Sequence, residues 1–525
     1  MTTVREELFA QLAQGREFDL AIVGGGATGL GIALDAAARG FSVVLVESHD
    51  FAKGTSSRAT KLVHGGVRYL AQGNIALVRE ALHERSTLLA NAPHLAQPLP
   101  FVMPSYGLWQ TPFYGIGLKM YDALAGKSGL GPTGFLGRAQ TLALLPTARP
   151  SGLKGGVKYW DGQFDDARLA LALARTAAAH GALLLNYCKA VALVHEQGRV
   201  AGLHCEDRET GTRYAVQARC VVNATGVWVD ELRRKDGEAL GRAVTDMVSP
   251  SQGVHLVVDR EFLPTDHALL VPRTADGRVL FAVPWLGKTI LGTTDTARND
   301  LRREPDAFPE EVDFILREAG RYLSKAPARA DVRSCWVGLR PLVKPAGAAE
   351  GEVNTKALSR EHSVRISASS LVSVTGGKWT TYRSIAEDVL GHCFDARLLE
   401  RRPGNVTRRL MLVGGDGAGT PLPMSAAPGY HSYGGEAKYV TGLAAGDEPL
   451  GGGLTAAMVR FAARHEYART VEDMLARRHR VLFLDARLAA SMAPVVAALL
   501  QRETGVDPQI AAFAALARSY ATLPS

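Results

Sequence analysis

Cysteine is scarce in this chain. Five cysteines are scattered through 525 residues without a C-x-x-C pair, so the sequence offers no zinc or iron–sulfur site, and a reducing compartment fits. Long apolar runs are missing too. The longest, "MAPVVAALL", is about half of the ~18 residues that a membrane-spanning helix needs. The opening stretch "MTTVREELFAQLAQGREFD" carries early acids and no apolar core, so it reads as neither a signal nor a transit peptide, and the chain is expected to stay where it is made. The formal net charge is +8, from 60 basic against 52 acidic residues. Such a balance admits nucleic acid, an anionic membrane or a small anion as partner. The basic residues are dispersed rather than arrayed in a stripe with interleaved aromatics, which argues against nucleic acid. An apolar fraction of 46% suits a globular chain of two or three domains.

What is present is most organised near the start. In "FDLAIVGGGATGLGIALDAAARGFSVVLVES" (18–48) an apolar β-branched run precedes Gly24-x-Gly26-x-x-Gly29. A helical pattern follows, closed by Gly40, and a second strand ends at Glu47. Gly24 permits the tight turn, Gly26 lets a pyrophosphate approach the backbone, and Gly29 lets helix and strand pack closely. The helix N-terminus offers free N–H groups and the positive end of its dipole to phosphates. Glu47 stands where a ribose-binding acid belongs. The motif predicts a dinucleotide site and leaves NAD and FAD open.

Two later segments repeat the strand–glycine–helix pattern: "CVVNATGVWVDEL", with Ala224, Thr225 and Gly226, and "SLVSVTGGKWTTYRSIAEDVL", with Gly376, Gly377, Lys378 and Thr380. Between them and the first unit lies "QFDDARLALALARTAAAHGALLLNY", a helix capped by Asp165, and three alternating runs that predict an antiparallel meander. Three glycine junctions suggest a ligand lying across the sheet, and a flavin, whose N1–C2=O end becomes anionic on reduction, fits a helix N-terminus better than a nicotinamide does.

The stretches "GTSSRATKLVHGGVRYL", "NATGVWVDEL", "LGTTDT", "VGLRPLV" and "TGGKWTTYRSIAEDV" together resemble the FAD-dependent glycerol-3-phosphate dehydrogenases of the aerobic, quinone-linked type, in order from about residue 18 to about 395. The tail "RTVEDMLARRHRVLFLD" looks like that family's helical C-terminal domain. The resemblance implies an α/β fold with a Rossmann-like FAD-binding domain of the glutathione-reductase/amino-acid-oxidase kind, a β-rich substrate cap and a C-terminal helical domain. The expected boundaries are 1–85, 151–245 and 335–395 for the FAD domain, 86–150 and 246–334 for the cap, and 396–525 for the helical domain. It further implies oxidation of sn-glycerol 3-phosphate to dihydroxyacetone phosphate, with hydride passing from C2 to flavin N5 and electrons leaving to membrane quinone. An oxidase that reduces oxygen is the near alternative, and a flavin amine or amino-acid oxidase the remoter one. Mitochondrial members carry a transit peptide and a calcium-binding extension, and anaerobic relatives a cysteine-rich C-terminal region. The sequence reads instead as a bacterial-type enzyme, cytoplasmic, peripherally associated with the inner face of the cell membrane, and a possible homodimer.

On this resemblance Thr55, Ser56 and Ser57 serve the pyrophosphate and ribityl chain, Gly65 and Gly66 let the chain pass under the isoalloxazine, and Thr294 and Asp295 stand by the flavin or substrate pocket. Arg68 and Tyr69, with Arg340 and Lys378, are expected to hold the substrate phosphate. Arginine binds phosphate oxygens in pairs, and a lysine at a helix N-terminus opposes the dipole unless an anion sits there. His64 and His255 are the candidates for the base that takes the hydroxyl proton. The aromatic, weakly basic segment "SYGLWQTPFYGIGLKMYDALAGKSGL" is expected to pack the cap, with lipid contact as the alternative. Val459, Ala463, Tyr467 and Val471 recur every four residues and predict one apolar helix face. Arg477, Arg478 and Arg480 form a basic cluster, read either as a solvated face or as a contact for anionic lipid.

Overall fold

The computed structural model describes residues 3–66, 74–107, 109–274, 277–344, 361–417, 419–443 and 448–525. Its first sheet has eight strands. Its central run places 372–376, 213–223, 18–23, 43–46 and 183–185 side by side, all parallel. The strand His362–Ile366 adds antiparallel at one edge, and the meander 188–196/199–207 joins through 213–223. Burial on both faces explains why "FDLAIV" and "VVLV" are nearly unbroken apolar runs. The helix Ala27–Ala38 covers one face between Asp166–Ala179 and Tyr382–Asp395. The Asp165 carboxylate caps the second of these by accepting from the Arg168 amide at 3.2 Å.

A second, mostly antiparallel sheet has ten strands: 296–297, 248–259, 288–292, 280–285, 268–271, 96–105, 155–164 and 62–63 in order, with 334–343 paired to 248–259 and 134–137 to 155–164. "FAVPWLGKTILG" forms the expected hairpin, its turn made by Leu286 and Gly287 at φ 45° and 79°, the left-handed pair that matches strand twist. The strands Gly155–Phe164 and Ser334–Val343 fall in this second sheet rather than in the first domain, where residues 151–245 and 335–395 were expected. The ladder from Val248↔Val343 to Val257↔Ser334 binds the latter along its whole length, and such cross-strand bonding leaves no trace in a strand's own residues. The expected break at 85/86 likewise falls inside the helix Ile75–Asn91.

The C-terminal part is helical, as expected, and shares a core with the second sheet. Trp285 and Trp336 pack with Val459, Phe483 and Leu500. Its four-residue periodicity does not continue as one helix. Ala456–His465 carries Val459 and Ala463, but Tyr467 lies beyond it at φ 59°. The basic cluster faces neither solvent nor lipid. Arg477, Arg478 and Arg480 are each 1–2% exposed. Arg477 bonds Asp50, Glu472 and Asp473, Arg478 bonds Asp50, and Arg480 bonds Asp166. Burial without those carboxylates would be prohibitive, and two of the partners, Asp50 and Asp166, lie hundreds of residues away.

Candidate active site

The three glycine junctions stand at the carboxyl ends of adjacent strands, 372–376, 213–223 and 18–23, where ligands of open parallel sheets bind. Gly24 has φ 112°, and a Cβ there would lie 2.6 Å from the Ala224 carbonyl oxygen. A Cβ on Gly29 would fall 1.9 Å from the Gly24 oxygen, so the helix sits directly on the turn. Gly26 precedes the first helical residue and faces the Ser56 hydroxyl.

The cleft they open is lined by Gly24, Gly26, Glu47, Thr55, Ser56, Ala224, Thr225, Gly226, Gly376, Gly377 and Lys378, with Trp228, Arg303 and Trp379. Ser56 Oγ accepts from the Ala27 amide at 2.9 Å, and its carbonyl accepts from Trp379 Nε1 at 2.8 Å. Thr55 Oγ1 donates to the Leu339 carbonyl at 2.7 Å. The Glu47 carboxylate accepts from the amides of Gly25 and His49 at 2.7 and 2.9 Å, which fixes it at the mouth of the glycine turn. Thr375 Oγ1 donates to the Gly226 carbonyl at 3.1 Å and stitches two junctions together. The Arg303 guanidinium lies 3.7 Å from the centre of the Trp228 ring. Nothing in the sequence around either residue flags this contact, because the two meet only across the fold.

The remaining candidates gather behind the Thr55–His64 segment. His255 is buried, stacks on Trp336 at 4.0 Å between ring centres, and shares a hydrogen bond of 2.9 Å between Nε2 and Thr60 Oγ1. Burial, then Arg340 and Lys61, hold it well below the ordinary histidine range, so the ring is neutral at pH 7. Arg340 is half-buried, and its guanidinium donates to the carbonyls of Gln252 and Thr294 at 3.0 and 2.8 Å and to Thr293 Oγ1 at 3.1 Å. Its neighbour Pro341 lines the cleft, and alternation along the strand turns Arg340 to the other side, the side of His255.

Several sequence candidates lie away from the cleft. Ser57 is buried and gives its carbonyl to Lys61 Nζ and Arg480 Nη2 at 2.7 and 2.8 Å. Thr294 is buried, donating to Glu311 at 2.7 Å and accepting from the Val254 amide at 3.0 Å. Asp295 faces Arg340 at 3.4 Å. Gly65 and Gly66 are buried beside the cleft rather than in its lining. His64 is half-buried, and its backbone N–H and C=O both meet Thr380 Oγ1, at 3.3 and 3.4 Å. Arg68 and Tyr69 lie outside the described residues.

Lys61 escaped the sequence reading. It is fully buried, bonds Asp166 at 2.7 Å and lies 4.6 Å from the Trp336 ring centre. Burial, with Arg480 adding to it against the pull of Asp166, lowers its ammonium to about 7. A lysine in the polar stretch "GTSSRATKLVHGG" gives no sequence signal of this.

The model of the FAD dependent oxidoreductase family matches residues 19–382, and that of the C-terminal domain of alpha-glycerophosphate oxidase matches 405–510. The mitochondrial glycerol-3-phosphate dehydrogenase of Bos taurus is 40% identical over 542 residues, covering 96% of this chain and 73% of its own. The glycerol-3-phosphate dehydrogenase of Bacillus halodurans, solved in complex with FAD, superposes with a TM-score of 0.78 at 30% identity, covering 99% and 98% of the two chains. The L-alpha-glycerophosphate oxidase of Mycoplasma pneumoniae, at a TM-score of 0.57 and 17% identity over 75% of this chain and 98% of its own, shares the fold. With its glycine turns, cleft and helical tail, this chain belongs to the glycerol-3-phosphate dehydrogenases of the FAD-dependent oxidoreductase family.

Proposed function

We infer that the chain oxidises sn-glycerol 3-phosphate to dihydroxyacetone phosphate and passes the electrons to a quinone in a membrane. The observation that carries the reading is a dinucleotide cradle backed by a buried neutral histidine beside a strand arginine. The residues present suit FAD. The α-helix starting at Ala27 would offer its amides to the pyrophosphate, Glu47 would serve the ribose, and the Tyr382 helix, entered through Gly376–Lys378, would serve the flavin. FAD, when bound, accepts the C2 hydride at N5.

The protein's own part is to hold the dianion and take one proton. Arg340, on the side of His255, binds the phosphate, with Arg68, Tyr69 and Lys378 as expected from the sequence. His255 takes the hydroxyl proton, since a histidine base must enter the reaction unprotonated. Its depressed basicity rises when a phosphate dianion offsets Arg340 and Lys61. The test is anaerobic mixing of the yellow holoprotein with glycerol 3-phosphate. Bleaching of the flavin band is expected, and bleaching by glycine or sarcosine alone would overturn the assignment.

Quinone is favoured over oxygen by the helix Gln110–Ala125. Among the described residues no helix is long and apolar enough to cross a membrane, yet this one presents Trp109, Phe113, Ile116 and Met120 at 84, 74, 62 and 53% exposure. At 3.6 residues per turn they fall within an arc of about 60°. Gly115, Leu118, Tyr121 and Ala125 face inward. The expectation that this segment packs the cap therefore holds for one face only. Exposed Phe135 lies against Gly115 of the same helix with Lys119 Nζ 5.2 Å from its ring centre, and Lys127 and Arg138, close by in the chain, are exposed. An apolar stripe rimmed by cations suits the surface of an anionic bilayer, where each such side chain gains about 1.5–3 kcal/mol on full burial. Co-sedimentation with anionic vesicles is expected and should fall at least tenfold in a Phe113→Ser/Ile116→Ser variant. Unchanged sedimentation would refute this face. Turnover with a quinone analogue should exceed oxygen uptake.

A further inference from the structure

We propose that Tyr121 is a positioning residue, through which seating of the Gln110–Ala125 helix on lipid orders the Gly65–Gly66 strap beside the active-site cleft. The inference rests on the lipid reading of that helix. Tyr121 lies on the buried side of the helix and is 1% exposed. Its hydroxyl accepts from the Gly65 amide at 2.8 Å and donates to Asp161 Oδ2 at 2.9 Å. Asp161 is buried, and its Oδ1 takes Arg85 Nη1 at 2.9 Å and lies 3.4 Å from the same Gly65 amide. A Cβ on Gly65 would fall 2.4 Å from the Tyr121 hydroxyl and 2.7 Å from a Leu82 methyl. The strap is thus clamped between this helix and the Ile75–Asn91 helix.

Two features make the clamp responsive rather than passive. First, the end of the helix that carries Tyr121 is tied down more weakly than its middle. Tyr121 and Ala125 join Val78 and Leu82 in a small satellite core, whereas Leu118 belongs to a large one with Tyr114 packed against it, and parts with few buried apolar contacts open and shift at low free energy. Burying the outer stripe in a bilayer restrains the helix, and the restraint reaches Gly65 through one hydroxyl. Second, the strap adjoins the chemistry. The preceding residue, His64, is bonded at its backbone to Thr380, three residues past the glycine pair that lines the cleft, and Arg68 and Tyr69 follow. A ligand can bias an element only by binding its two arrangements unequally. Lipid does so here because only the seated helix buries the stripe.

The test uses FAD-loaded wild type and Tyr121→Phe, glycerol 3-phosphate, a water-soluble dye as electron acceptor, and vesicles of phosphatidylglycerol and phosphatidylcholine. The dye removes any need for quinone. Wild-type turnover should rise at least threefold on adding vesicles. Tyr121→Phe should co-sediment with vesicles as well as wild type does and show a ratio near one. Should Tyr121→Phe fail to fold, hydrogen exchange at the Gly65 amide of wild type decides, with at least threefold slowing expected on vesicle addition. A wild-type ratio in the variant, or unchanged exchange in vesicle-bound wild type, overturns the coupling and leaves the lipid reading standing. Absence of wild-type co-sedimentation sinks both.

Discussion

Replacing Asp50 by Asn should destabilise the protein severely although it removes only one charge and keeps the side chain's shape. Asp50 is 0% exposed. Arg478 Nη2 donates to its Oδ1 at 2.9 Å, and Arg478 Nη1 and Arg477 Nε both reach its Oδ2. Arg477 keeps Glu472 and Asp473 at 2.6 and 2.7 Å after the change. Arg478 has no second carboxylate in ion-pair contact among the described residues: Asp473, the nearest acid by sequence, gives its carboxylate to Arg477, Glu466 gives its own to Arg168, and each offers Arg478 only a carbonyl. The substitution therefore strands one guanidinium in the interior, and breaking a buried pair in this way costs about 3–5 kcal/mol. Urea unfolding reads it as a lower midpoint at unchanged slope. The sign with pH follows from the carboxyl itself. Burial pushes it up, but Arg478 and Arg477 outweigh burial and hold it below the usual carboxylate range. Its contribution is present above the unfolded value near 3.9 and is lost as pH falls through the folded one, so the difference between wild type and variant should shrink in strong acid. A loss under about 1 kcal/mol, the range of surface substitutions, would refute the burial of this cluster. Loss of vesicle binding in an Arg477→Gln/Arg478→Gln double variant at unchanged stability would restore the lipid reading of these arginines.

Gly29→Ala should yield colourless protein, because its Cβ would lie 1.9 Å from the Gly24 oxygen and the turn must open; flavin absorbance after purification checks this. Arg340→Ala should keep the yellow colour and lower kcat/KM for glycerol 3-phosphate by about 10–150-fold, the worth of a charged hydrogen bond of 1.5–3 kcal/mol; steady-state kinetics with flavin content measured in parallel decides. His479 is buried, and burial, then Arg168, lower its pKa to about 4. The unfolded chain takes up this proton near 6.5, so stability should fall as pH drops from about 6.5 to about 4, and His479→Gln should flatten the urea midpoint over that window.

Local geometry was legible wherever a residue type answers a local demand. The three glycine junctions, the Asp165 cap and the Leu286–Gly287 hairpin turn depend on φ angles, caps and alternation, and each is written within a dozen residues. The site was legible in its cradle for the same reason. Its back wall was legible only in part: Arg340 and His255 were named on the family resemblance, whereas Lys61 and Trp336 acquire their properties from neighbours far along the chain.

By itself the sequence determined the dinucleotide turn, the order of strands and helices, and the family resemblance, since backbone conformation and hydrophobic period are set by neighbours in the chain. Only the tertiary structure decided which side of each element meets what. A helical period marks Phe113 and Ile116 as one face without saying whether protein or solvent covers it. Three arginines look solvated until Asp50 and Asp166 arrive from the other end of the chain. Burial and charge pairing are properties of the folded surroundings, and no residue carries them alone.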